Sequence, residues 1–330
     1  MRACVRAYVG VRSYIPGGDV CGVVEAVADG DETFVSPGDC VVAQFHQNRG
    51  GLAEYALVKT SQCALKPECL TPSEAAATGS SGAAAVSVAQ GVNAGDRVLV
   101  LGGAGGVGTF VVQLVKARGA AFVAATSTQT DLLRDLGVDR PIDYREVDVW
   151  TLPEFQAPVA GNAKATTTTR ATTARNNDDG GGALFDVVID LAHGDGWDDG
   201  VRAPHSMARP IVKSGTKGGR FLTTVPPAGK WPQAQSYWAA AKVFALAPLA
   251  RTVSSWFVRW NRPRYNFVFG VSGDVRGKLE ELFGLVESGD VRVVLHGGQP
   301  FPFTSEGVRE AIRVQESGHA HGKVVVKISD

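Results

Sequence analysis

Residues Asp96 to Arg118 constrain this chain more than any other stretch, because a short apolar run, Val98 to Leu101, leads directly into five glycines within Gly102 to Gly108. A Gly95-Asp96 turn opens the run, which has the character of a strand buried on both faces. The glycine segment lets the backbone turn sharply and approach a ligand with no Cβ in the way. From Val107 the apolar positions take helical spacing (Val107, Phe110, Val111, Leu114, Val115), with Lys116 and Arg118 in the last turn and Gly119 as the stop. Strand, glycine turn and helix in that order aim unpaired helix N–H groups at an anion, most often a dinucleotide pyrophosphate. Glycines also make ordinary tight turns. The strand-to-helix context favours nucleotide binding over that alternative.

The rest of the chain sets bounds on this reading. With 330 residues, one or two domains are expected, and 44% hydrophobic content is enough for a sizeable core. The formal net charge is zero, so nothing global points to nucleic acid. No apolar run approaches the roughly 20 residues that span a bilayer. Residues 1–10 do not have the form of a signal peptide. Cys4, Cys21, Cys40, Cys63 and Cys69 are odd in number and contain no Cys-x-x-Cys pair, so reduced, mostly buried thiols are expected rather than a metal or disulfide framework.

Residues 14 to 60 read as β-rich, with strands over Val20–Val27, Cys40–Ala43 and Ala53–Val58 separated by Ser36-Pro37-Gly38-Asp39 and Gly50-Gly51. Pro72 starts an alanine-rich helix that continues past Gly82 toward Gln90 and would join this lobe to the nucleotide lobe. Further strands are expected at Ala121–Ala125, Pro141–Tyr144, Phe185–Asp190 and Gly218–Val225, with a helix over Leu132–Leu136. Such alternation argues for an α/β fold with a doubly wound parallel sheet. Residues 156 to 183, rich in Thr, Asn, Asp and Gly, interrupt it and read as a low-complexity surface insertion.

Thr126-Ser127-Thr128-Gln129 lies about 20 residues past the glycines, where an acid would hold the ribose 2′-OH of NAD. No acid is there, and small hydroxyls suit the 2′-phosphate of NADPH better, so NADPH is favoured over NADH, although no Lys or Arg shares that turn. From Asp199 to Asp274 there is no intervening Asp or Glu, while eleven Lys and Arg fall inside. Its later part, 237–260, reads as an amphipathic helix or helix pair rich in Trp and Phe. Such a segment suits an anionic membrane surface or, alternatively, a substrate-side lid whose aromatics are core.

Taken together, the motifs resemble the zinc-free quinone oxidoreductase branch of the medium-chain dehydrogenase/reductase superfamily, close to the mitochondrial reticulon-interacting and plastid-envelope oxidoreductases. They are Ile15-Pro16-Gly17-Gly18-Asp19-Val20-Cys21-Gly22, Pro37-Gly38-Asp39, Gly50-Gly51-Leu52-Ala53-Glu54-Tyr55, Ala104-Gly105-Gly106-Val107-Gly108, Ile142-Asp143-Tyr144, Phe301-Pro302-Phe303 and Gly318-His319-Ala320-His321-Gly322-Lys323. The resemblance implies a Rossmann domain over 81–296 and a partial GroES-like β-rich catalytic lobe over 1–80, joined by 297–330. It implies NADPH contacts at Ala104, Gly105, Gly106, Val107 and Gly108, at Ser127 and at Tyr144, with Phe267, Gly322 and Lys323 meeting the cofactor's other end. It also implies hydride transfer to a quinone or an enone, and a homodimer.

Three departures from the family pattern shape what is expected of this chain. The resemblance implies a longer segment ahead of Ile15 than the 14 residues present, so an N-terminally truncated form is expected. The family's nicotinamide-side Gly-x-Thr-Ala stands here as Gly82-Ala83-Ala84-Ala85, and the segment after the fourth strand reads Asp190-Leu191-Ala192-His193-Gly194. Zinc-dependent relatives carry Gly-His-Glu where this chain has Gly17-Gly18-Asp19, and of their cysteine-rich lobe only Cys40 remains, so no zinc is expected. No catalytic residue stands out; His193 is the one candidate acid, and a coincidental loop histidine competes with it. The alternative to a reductase is a nucleotide-binding protein with little turnover that acts as a redox-sensing or membrane-associated partner. Cytoplasm, mitochondrion and plastid all remain open as compartments.

Overall fold

The computed structural model describes residues 15–28, 34–45, 50–156, 184–192, 196–197, 201, 210–225, 246–258, 260–268 and 273–329. The first strands are β1 (Asp19–Val23), β2 (Cys40–Gln44) and β3 (Cys63–Leu65), an antiparallel sheet in that order. The third strand is thus Cys63–Leu65 and not Ala53–Val58 as expected. Cys63–Leu65 takes the open edge of β2 through Val41–Ala43, and Ala53–Val58 runs as bends and irregular chain. Alternation along β1 and β2 gives the sheet two different faces. Cys21 and Val42 pack toward Ala75, Leu279 and Phe283, while Val20, Val41 and Ala43 pack with Val35 and Cys63.

Helix α1 (Pro72–Ala89) follows. Its start is fixed by a capping box: Thr71 accepts from the Glu74 N–H, and the Glu74 carboxylate accepts from the Thr71 N–H at 2.9 Å. The helix runs past Gly82 as expected, and its one non-helical position is Gly79 (φ −24°, ψ −110°). Gly82 has a packing role, since a Cβ there would lie 2.4 Å from Leu282.

The parallel sheet comprises β4 (Arg97–Leu101), β5 (Phe122–Thr126), β6 (Arg140–Ile142), β7 (Val187–Asp190), β8 (Arg220–Thr223) and β9 (Arg264–Phe267). Its order is β6-β5-β4-β7-β8-β9. The order reverses between β4 and β7, which opens a crevice at the carboxyl ends of these two strands. Helices α2 (Gly108–Ala117), α3 (Thr130–Asp135), α4 (Ala247–Phe257), α5 (Val275–Glu287) and α6 (Ser305–Glu316) complete the framework. A short parallel pair, β10 (Phe301–Pro302) and β11 (Val326–Lys327), lies near the C-terminus.

Both faces of the parallel sheet are buried, as the unbroken apolar strands require. Val98, Val100, Val123 and Ile189 pack on one side with Val86, Phe110, Leu114 and Leu282. Leu99, Val188, Phe221 and Tyr265 pack on the other with Trp150, Phe155, Trp197 and Ile211. Each of the larger side chains contributes about 1.5–3 kcal/mol on burial. The expected insertion lies almost wholly outside the described residues, as do His193 and most of the 237–260 segment ahead of Leu246.

One ion pair ties the two sides of the switch point together. Arg220 at the start of β8 donates to Asp96 Oδ2 (2.6 Å) and to the Gly91 carbonyl (2.8 Å), and the Asn93 N–H donates to the same carboxylate oxygen (2.6 Å). Replacing Asp96 by alanine orphans two donors, and we expect a loss of about 2 kcal/mol in urea unfolding. A midpoint unchanged from wild type would show that this tie carries no stability.

Candidate nucleotide site

The glycine loop between β4 and α2 is held from both sides. The Gly102 N–H donates to Thr126 Oγ1 (3.1 Å) and the Gly103 N–H to the Thr126 carbonyl (3.0 Å), so the end of β5 supports the turn. Gly102 has φ +82°, and a Cβ on Gly108 would sit 2.2 Å from the Gly102 carbonyl oxygen. Gly103, Ala104 and Gly108 are buried, whereas Gly105, Gly106 and Val107 are half-buried and form the open rim. The N–H groups of Gly106 and Val107 have no acceptor among the hydrogen bonds of the described residues. Unclaimed amides at the start of a ten-residue helix make a cradle for an anion.

The C-terminal segment closes over this rim. The Gly322 N–H donates to the Ala104 carbonyl (2.9 Å), and the Lys323 N–H to the Val294 carbonyl (2.9 Å). Gly322 has φ +68°, and a Cβ there would meet the Val294 carbonyl oxygen at 2.5 Å, so the close pass of this strap depends on glycine. A Cβ on Gly106 would lie 3.0 Å from the Lys323 side chain. Lys323 Nζ donates to Ser81 Oγ (2.7 Å) and lies 3.7 Å from Asp19 Oδ2. Asp19 in turn accepts from the Ser80 N–H (2.6 Å) and Ser80 Oγ (2.8 Å). A Cβ on Gly79 would come within 2.5 Å of that carboxylate, so the position takes no side chain.

Of the residues expected at the cofactor, the structure brings together Ala104, Gly105, Gly106, Val107, Gly108, Gly322 and Lys323. Ser127, buried just past β5, turns its hydroxyl to the Gln129 N–H (3.0 Å). Tyr144 follows β6 and is exposed. Phe267 ends β9 at the opposite edge of the sheet, three strands from β4. All of these strand-linked positions lie at carboxyl ends, along one rim. Sequence reasoning missed Ser80 and Ser81 and gave Asp19 a role only in the zinc question. It also missed Arg145, whose side chain donates to Asp143 Oδ2 (2.6 Å) and holds that carboxyl below the usual range. The Ser127 N–H bonds the Ile142 carbonyl (2.9 Å), so Arg145 follows on the strand next to Ser127. Gln44 was missed too: it pairs with Asp19 across β1 and β2, and both of its buried amide atoms lack partners among the described residues.

These residues do not fit a zinc ion. Among the described residues no group of three or more His, Cys, Asp or Glu converges. Both Asp19 oxygens are engaged, one of them facing the Lys323 ammonium, which supplies the local positive charge. Cys21 and Cys40 Sγ atoms are 3.8 Å apart, but burial and the neighbouring Cys40 push the Cys21 thiol up, and burial raises Cys63 to about 11. A zinc ligand would have to be thiolate.

The strap also carries a histidine contact. His321 stacks edge-on against His296 with ring centroids 4.4 Å apart, and its backbone N–H donates to His296 Nδ1 (3.3 Å). Burial, then the His296 charge, lowers the His321 pKa from the usual 6.5. The folded state therefore binds its proton less readily than the unfolded chain. The stabilising contribution is complete above the unfolded value and is lost as pH falls through about 6.5 toward the folded value. We expect urea midpoints to drop between about pH 7 and about pH 5, and His321→Asn to flatten that drop. An unaltered pH slope in the variant would count against the contact.

A protein-family model described as zinc-binding dehydrogenase matches residues 136–326. The chain is 29% identical over 328 residues to the chloroplastic NADPH-dependent alkenal/one oxidoreductase of Arabidopsis thaliana, a match covering 94% of this chain and 63% of that protein. It is 30% identical over 311 residues to the mitochondrial NAD(P)H oxidoreductase RTN4IP1 of Danio rerio, covering 91% of this chain and 68% of that one. The solved structure of mycobacterial Rv1454c complexed with NADPH is similar at 25% identity with a TM-score of 0.63, covering 96% of this chain and 83% of that chain. The chain thus spans about two thirds of the length of the curated relatives it matches. On the family match and the similarity along nearly all of its length, the chain belongs to the zinc-binding dehydrogenases of the medium-chain dehydrogenase/reductase superfamily.

Proposed function

We propose that this chain is an NADPH-dependent oxidoreductase that reduces an enone or quinone without zinc. The observation that carries this reading is the meeting of two unclaimed amides, at Gly106 and Val107, with the Lys323 side chain at one half-open rim. Those groups would hold the pyrophosphate. Lys323, oriented by Ser81 and Asp19, supplies the balancing charge, and the glycines allow close approach. When bound, the nicotinamide supplies a hydride from its C4. The residues around it position the acceptor and exclude water, and the proton completing the reduction can come from solvent. The alkenal/one oxidoreductase relative and the NADPH-bound neighbour support the acceptor class and the cofactor. The position of β9 as the last strand of the sheet among the described residues supports a homodimer formed sheet edge to sheet edge.

Preference for NADPH is supported by Ser127 just past β5 and by Arg145 after the neighbouring strand, a cation that would exchange its Asp143 partner for a 2′-phosphate. Fluorescence titration and absorbance at the reduced-nicotinamide band, with a panel of enones and quinones, test the whole reading. We expect NADPH to bind, to be oxidised with at least one acceptor, and to retain that turnover after dialysis against EDTA. Arg145→Ala should weaken NADPH about tenfold, the worth of one charge-assisted hydrogen bond, and leave NADH unchanged. Equal loss for both cofactors would remove Arg145 from the 2′-phosphate. Binding without turnover would point to a nucleotide-binding protein that is not a reductase, and no binding would refute the site.

A further inference from the structure

Helix α4 faces the wrong way for a core helix. Its buried positions are Pro248 and Ser255, and Ser255 Oγ accepts from the Tyr265 N–H of β9 (3.2 Å). Its large apolar side chains point outward: Leu246 just ahead of it, Leu249, Val253, Trp256 and Phe257, with Trp260 just beyond. These six are 49–71% exposed. Their spacing of three or four residues places those on the helix along a single stripe. An outward stripe of this size on a folded protein marks a surface that something covers.

Charge distinguishes the possible occupants. Residues 246–268, which hold α4 and β9, contain four Arg and no Asp or Glu. Arg251 lies within α4, on its inner side with its guanidinium 5.8 Å from the Tyr265 ring, and Arg264 is exposed at the start of β9 beside it. A two-fold contact of α4 with its own copy would set cations against cations with no acid of the segment to answer them. An anionic bilayer answers both features, since its phosphates take the cations and its interface takes Trp, Phe and Leu.

We propose that α4 with Trp260 is a docking face for an anionic lipid surface, on which the chain lies peripherally. Among the described residues no helix is long and apolar enough to cross a membrane, so the contact is interfacial. It is independent of the redox reading, because none of its residues belongs to the nucleotide rim.

The test is co-sedimentation of the full chain with phosphatidylcholine vesicles and with vesicles that also contain phosphatidylserine, at low and high salt. We expect partitioning onto the phosphatidylserine vesicles, weakened by salt. It should fall about tenfold or more in Trp256→Ser/Phe257→Ser and about fivefold in Arg264→Gln, with NADPH binding as the control for an intact fold. Should the aromatic variant misfold, quenching of wild-type tryptophan fluorescence by brominated phosphatidylserine vesicles replaces it, and strong quenching is expected. Absence of partitioning or quenching overturns the proposal, as does partitioning that both variants retain. A wild-type dimer in sedimentation velocity that Trp256→Ser/Phe257→Ser converts to monomer also overturns it, and assigns the face to a second copy.

Discussion

The turn from β4 into α2 has no room for a side chain at Gly108, and the rest of the site follows from that restriction. With its Cα pressed against the Gly102 carbonyl, α2 starts directly under the carboxyl end of β4 and presents its first amides to the crevice. Thr126 holds the same turn from β5, so the loop's shape is set by two central strands and not by a ligand. Such preorganisation lowers the cost of gathering a multiply charged anion. It also explains why the rim residues Gly105, Gly106 and Val107 stay half-open while their neighbours are buried.

The second organising element is Lys323. It reaches the glycine loop only because the strap around Gly322 passes close enough for its N–H to bond Ala104, and its ammonium is oriented by Ser81 and Asp19. An aspartate so engaged would have to give up these partners to hold a metal. In a family described by zinc, this chain places a lysine ammonium against the carboxylate beside the nucleotide loop. The glycine at the kink belongs to the same arrangement, since a Cβ at position 79 would meet the Asp19 carboxylate.

Local signals in the sequence were enough for the glycine loop, the parallel sheet and α2, because apolar runs and glycine spacing report directly on nearby backbone. They failed where the cause lies far away in the chain. The kink at Gly79 has no local signal, and the Ser80 N–H beside it bonds the Asp19 carboxylate, 61 positions away. The Ser81–Lys323 bond joins residues 242 positions apart, and nothing local announces it. Arg145 was missed because the search for a phosphate partner stayed within the turn after β5, whereas parallel pairing brings in the next strand. Three-residue β3 carries too short a pattern to compete with Ala53–Val58, which has more β-branched and aromatic character but is not paired in the sheet. Gly322 and Lys323 were named through family resemblance alone, and the structure supplies the physical reason to look at them.

The central claim is that the glycine loop and the Lys323 strap act as one anion clamp. Hydrogen–deuterium exchange of the full chain with and without NADPH tests it most directly, because it reads both segments without requiring turnover. The account predicts that amides in Gly105–Gly108 and in His319–Lys323 slow together on adding NADPH. Protection confined to one segment, or absent from both while NADPH binds elsewhere, would contradict it.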